Sequence, residues 1–126
     1  MQRTALHIHP QLSVFVDGKH VPVPANIGIE PSGRTMAALH THDDSGMIHV
    51  ESPVVRSYNL GEFFDVWGVR LARRCLGGYC TTSGKQLAAF VGAKPFHGNP
   101  RDIGFKDAEQ IVLAYGTKAE IANVTP

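Results

Sequence analysis

Five of the seven histidines in this chain fall into two tight groups, His7-Ile8-His9 and His40-Thr41-His42 with His49 after six intervening residues. Neutral imidazole is the commonest metal ligand among side chains, and it suits Zn, Cu, Ni or Fe. Residues two apart on an extended strand share a face, so each His-x-His unit would present both rings on one side. If Asp43 to Gly46 forms a hairpin loop, His42 stands opposite Met47 and His40 opposite His49. Directly opposed residues also share a face, with Cβ atoms about 5 Å apart. His40, His42 and His49 would then close on one ion through bonds of about 2.0–2.1 Å. A loop shorter by one residue would turn His49 to the other face. Leu39, Ile48 and Val50 have the opposite parity and would face a core. His7 and His9 form a second same-face pair, able to complete this site, make a separate one or stand behind it.

Two carboxylates are the nearest candidates for catalytic or supporting work. Glu51 shares the face of His49 and could orient an imidazole or act as a general base. Asp43 could do the same, although with Asp44 it is first of all a turn residue. His20 and His97 lie in turn-like stretches and read as plain surface residues. Cys75 and Cys80 are separated by four residues, a spacing of neither zinc ribbons nor thioredoxin-like redox motifs. A loop-locking disulfide, a soft metal pair and two reduced thiols all remain open; the disulfide would need an oxidising compartment. Only three methionines are present and none is spaced as a cuprous motif, which favours Cu(II) or Zn(II) over Cu(I).

The elements that must hold these residues can be read from periodicity. Ala5 to Val16 alternates, with Leu6, Ile8, Leu12, Val14 and Val16 on one parity and His7, His9, Gln11 and Ser13 on the other, the pattern of a half-buried strand. Asp17-Gly18 is a hairpin turn signal, and Val21 and Val23 continue into a return strand that Pro22 and Pro24 confine to an edge. A second hairpin spans roughly 36–42 and 47–51. Asn59 with Glu62 spells a helix capping box. Behind it Leu60, Phe63, Phe64, Trp67 and Leu71 form a core-facing stripe, a more ordinary role for these aromatics than a ligand platform. Arg73 and Arg74 suit the end of that helix, with Gly77-Gly78 closing it, unless Gly68 stops it near Trp67. Strands over 87–91 and 110–115 follow, each closed by a glycine. The order is hairpin, histidine-bearing hairpin, helix, strand, strand. It predicts an α+β fold of β-grasp type, with the histidine hairpin as an insertion. A small cupin-like β-barrel is the alternative.

At 126 residues the chain is expected to be a single metal-binding domain over 1–126 with an adequate core. A formal net charge of +1, with both signs mixed along the chain, argues against a nucleic-acid surface. No apolar run reaches the length of a membrane span, and no signal-peptide core follows Met1, so the chain as written reads as soluble and cytoplasmic. Nothing in it opposes a homo-oligomer.

The run Leu39-His40-Thr41-His42-Asp43-(two residues)-Gly46-Met47-Ile48-His49-Val50-Glu51-Ser52-Pro53 resembles an uncharacterised family of small archaeal and bacterial proteins. His7-Ile8-His9-Pro10, the segment Val23 to Ile29, Leu60 to Gly68, the cysteine pair and Ile111-(four residues)-Gly116 are similar to that family too, so the resemblance covers nearly the whole chain. It implies an extracytoplasmic protein, often with an N-terminal membrane anchor, and names no reaction. This chain departs by beginning almost at His7. A likeness of the histidine run to the cupin metal motif is analogy only, because the spacing differs.

Three functions compete. The first is a protein that holds, buffers or delivers one transition-metal ion, Cu or Zn above all, with Fe also fitting. The second is a mononuclear tri-His metalloenzyme for hydrolytic or Cu/Fe oxidative chemistry, with Glu51 or Asp43 as base. The third is a β-grasp interaction module with a structural metal.

Overall fold

A computed structural model describes residues 4–125. In chain order its strands are β1 (Leu6–Ile8), β2 (Gln11–Val16), β3 (Lys19–Val21), β4 (Leu39–His40) and β5 (His49–Ser52). Helix α1 (Leu60–Trp67) follows, then β6 (Leu71–Ala72), β7 (Cys75–Leu76), β8 (Tyr79–Cys80), β9 (Gln86–Val91), β10 (Lys94–Phe96), β11 (Gln110–Gly116) and α2 (Lys118–Val124). The largest sheet has the order β10-β9-β11-β2-β3, with β11 parallel to β2 and the other pairs antiparallel. Two three-stranded sheets, β1-β5-β4 and β6-β7-β8, complete an α+β architecture in which no sheet closes into a barrel among the described residues. None of the described helices is long and apolar enough to cross a membrane.

The β2–β3 hairpin turns at Asp17 and Gly18, both at positive φ (53° and 80°), as a two-residue type I′ turn requires. β3 is an edge strand and pairing stops before Pro22, which has no N–H to donate. In α1 the capping box forms as spelled: Asn59 Oδ1 accepts from the Glu62 N–H at 2.9 Å, and Glu62 Oε1 accepts from the Asn59 N–H at 3.2 Å. Leu60, Phe63 and Phe64 of this helix share one buried cluster with Leu12, Val14, Ile111 and Leu113 of the large sheet and Leu39, Ile48 and Val50 of the histidine sheet.

Four sequence expectations need correction. The helix stops at Trp67, the earlier of the two ends the sequence allows, and does not reach Gly77-Gly78. Gly68 takes the left-handed conformation (φ 80°) and closes it on the Phe64 carbonyl, a cap that costs glycine nothing. Leu71 is still buried, but in β6; Arg73 and Arg74 form the turn into β7, and Gly77-Gly78 the turn into β8. Second, the alternating run from Ala5 to Val16 is two strands in two sheets, because Pro10 has no N–H and breaks the ladder. Third, Met47 stands opposite Gln11 and not His42. The chain at 46–48 leaves β4 and runs beside Pro10–Leu12, with Leu12 N–H donating to the Gly46 carbonyl at 2.8 Å and Ile48 N–H to the Pro10 carbonyl at 2.9 Å. Fourth, the C-terminal half holds more than two strands: β6, β7, β8 and β10 are short, and α2 is capped by a second box, Thr117 with Glu120.

Gly46 is where the histidine hairpin meets the large sheet. It sits at φ 87°, and a Cβ there would collide with the Leu12 carbonyl oxygen. We predict that Gly46→Ala destabilises the protein by about 1–3 kcal/mol, the scale of backbone strain at such positions. Gly84→Ala, in open space at an ordinary φ, should be neutral. Denaturant midpoints of the two variants check this, and equal midpoints would contradict it.

Candidate metal centre

The small sheet β1-β5-β4 builds the site. Its register puts His7 opposite Glu51 and His40 opposite His49. His42 lies just past the end of β4 and His9 just past β1, both where the chain leaves the sheet. Ring centroids step from His7 to His9 (4.7 Å), His9 to His49 (4.8 Å), His49 to His42 (4.5 Å) and His42 to His40 (4.9 Å). His40 and His49 are stacked at 5.4 Å with planes 8° apart. The five histidines singled out by spacing are thus contiguous. His20 packs on Phe15 and is exposed, as is His97; neither joins the cluster.

His40 is the interior member, with 1% of its surface exposed. Its Nδ1 lies 2.8 Å from the Ala37 carbonyl, a partner that can only accept, so Nδ1 carries the proton. In the neutral ring Nε2 is then a bare lone pair. It is buried and has no hydrogen-bond partner among the described residues. Glu51 Oε1 lies 3.4 Å from it and 3.7 Å from His7 Nε2.

Local sequence explains why the chain holds this shape. Thr41, between the two histidines, is fully buried. Its Oγ1 donates to the Pro24 carbonyl at 2.7 Å and accepts from the Ile27 N–H at 3.1 Å, while its backbone N–H donates to the Ile27 carbonyl at 3.0 Å. The 24–27 turn is thereby fastened to the end of β4. A Cβ at Gly28 (φ 71°) would strike the Leu39 carbonyl oxygen and crowd His40 Cβ, so only glycine lets this segment lie so close. Neither Thr41 nor Gly28 stands out by residue chemistry; a threonine on the buried parity of a His-x-His unit was the available signal.

Asp43 is committed elsewhere. Its Oδ1 accepts from Ser45 N–H (3.0 Å) and Ser45 Oγ (2.6 Å), which holds its carboxyl below the usual range. It caps the loop and belongs to neither group of donors able to surround an ion. Those groups are His40, His42, His49 and Glu51, and His7, His9 and His49, the donor atoms of each lying within 4.8 Å of one another. Cys75 and Cys80 face each other across β7 and β8 as a disulfide, which removes both thiols from metal ligation.

No protein family, curated protein or solved structure matches this chain.

His49 titrates below its ordinary value of 6.5, first because burial disfavours its charged form and then because His42, His9 and His40 crowd it; Glu51 opposes the shift. A base whose folded pKa is depressed resists protonation in the native state, so acid favours the unfolded chain. Stability is therefore full above 6.5 and falls as pH drops through that value toward the lowered one. The metal-free protein should melt at a lower temperature at pH 5 than at pH 7.5, and His49→Gln should shrink the difference. A variant with the parent's full pH dependence would contradict the assignment.

Proposed function

We propose that this chain is a transition-metal-binding protein that holds Cu(II) or Zn(II) on His40, His42 and His49 with Glu51 as the fourth donor. The observation that carries this reading is the orphaned Nε2 of His40. A buried acceptor left without a partner costs about 1–3 kcal/mol. Here a lone pair on nitrogen faces a carboxylate oxygen at 3.4 Å, an arrangement that repels unless a cation lies between them. Donors on a tetrahedral ion with bonds of about 2.0–2.1 Å lie about 3.3–3.4 Å apart. The Ala37 carbonyl orients the ligating ring through its other nitrogen, the usual support for a metal-bound histidine.

Four protein donors favour holding, buffering or delivering the ion over catalysis, which needs an open position. A metalloenzyme would want Glu51 free as a base, whereas its Oε1 sits between two imidazole nitrogens.

The fold reading rests on the order of the large sheet: hairpin β2–β3, helix α1, strands β9 and β10, and β11 returning parallel to β2. We take this as a β-grasp with the histidine hairpin as an insertion; the open sheets speak against the cupin-like barrel. Membership of the small archaeal and bacterial family, and an extracytoplasmic setting, are part of the same proposal. The disulfide supports the second, since such bonds persist in oxidising compartments.

Calorimetric titration of Cu(II) or Zn(II) into metal-free protein without an affinity tag tests the function. His40→Ala should weaken binding at this site by more than about 100-fold, beyond what losing an outer-shell partner costs. His20→Ala, His97→Ala and the double variant Cys75→Ser/Cys80→Ser should bind like the parent. Parent-like binding by His40→Ala would contradict the proposal.

A further inference from the structure

The ligand set just proposed leaves His7 and His9 unused, although both are part of the same cluster. Together with His49 they form a second group of donors, and this group shares only His49 with the first. One ion cannot take all five imidazoles, because the donors of His7 and His9 do not join the compact group around His40 and His42. Glu51 stands at the seam. It is paired with His7 in the β1–β5 register, and its Oε1 lies 3.7 Å from His7 Nε2 and 3.4 Å from His40 Nε2. The carboxylate belongs to the inner group and reaches one histidine of the outer group, His7.

We propose that the cluster holds two divalent transition-metal ions side by side, the inner on His40, His42 and His49 and the outer on His7 and His9, with Glu51 bridging them. This rests on the metal-binding reading above and extends it. Two-metal sites place their ions about 3.5–4 Å apart, a separation that one bridging side chain spans. Further negative charge flanks the pair: the Asp107 carboxylate accepts from the His9 backbone N–H at 2.9 Å, and Asp43 lies beside His42 and His49. The two positions differ in access. The side chain of His40 is 1% exposed and that of His7 53%, so the outer ion is the exchangeable one and the inner ion the resident.

Copper makes the test direct, because neighbouring Cu(II) ions couple their spins. Untagged metal-free protein is loaded with excess Cu(II) and desalted; total copper is measured by elemental analysis and compared with the integrated paramagnetic resonance signal. Two copper ions per chain are expected, with a signal well under half the total. His7→Gln/His9→Gln should hold one copper whose signal integrates in full, and Glu51→Gln should lose the coupling. Should the double variant not fold, His7→Gln alone, at an exposed position, is judged in the same way. One copper in both parent and variant would overturn the second position and leave the proposed function standing. Two copper ions with full signal in the parent would overturn the bridged pair. No copper in any protein would overturn both readings.

Discussion

The hydrogen bond from His40 Nδ1 to the Ala37 carbonyl is the constraint on which the rest of the site depends. In the neutral ring it spends the one N–H inside the protein and leaves Nε2 as a lone pair, buried and 3.4 Å from Glu51 Oε1. A surface histidine would satisfy that nitrogen with water. Here Ile48 and Val50 behind the sheet, with Leu60, Phe63 and Phe64 of α1, belong to the buried cluster against which this sheet packs. In such surroundings an unpaired polar atom is expensive, and its retention is a reason to look for a function.

The remaining geometry follows from how the chain is made to return to this point. Pro10 interrupts the first alternating run, so β2 stays in the large sheet while β1 swings out to pair with β5. That switch brings His7 and His9 beside a hairpin formed forty residues later. Gly46, held against Leu12, ties the far end of the same hairpin to the large sheet, and Thr41 ties its near end to the 24–27 turn. The histidines are thus placed by backbone contacts at both ends of their strands. Rigid elements of this kind hold metal ligands better than a free loop does.

Much of this was legible from parity. Strand alternation together with a loop over Asp43 to Gly46 pairs His40 with His49 and turns Leu39 and Val50 inward, and the structure has both, although Met47 pairs with Gln11. The capping box at Asn59 marks the start of α1 to the residue. What parity misses are the interruptions. A proline in an alternating run can end the strand or merely sit at an edge, and only the partner strands decide; hence β1 and β2 read as one. Short strands such as β6, β7 and β8, two residues each, carry no period to detect. The helix stripe ran on to Leu71 because a buried leucine after a glycine cap looks the same as one before it. Glu51 was legible as a neighbour of His49, but its place between His7 and His40 required the β1–β5 register, which no local pattern encodes.

The central claim is that a metal ion, and not a proton, belongs between His40 and Glu51. Long-range proton–nitrogen NMR of the histidine side chains reads both states at once. In metal-free protein at pH 7.5, His40 should show the Nδ1–H tautomer with an unprotonated Nε2, and adding one equivalent of Zn(II) should shift that Nε2 resonance along with those of His42 and His49. A His40 ring that is doubly protonated at pH 7.5, as an imidazolium paired with Glu51, and unmoved by Zn(II), would contradict the account.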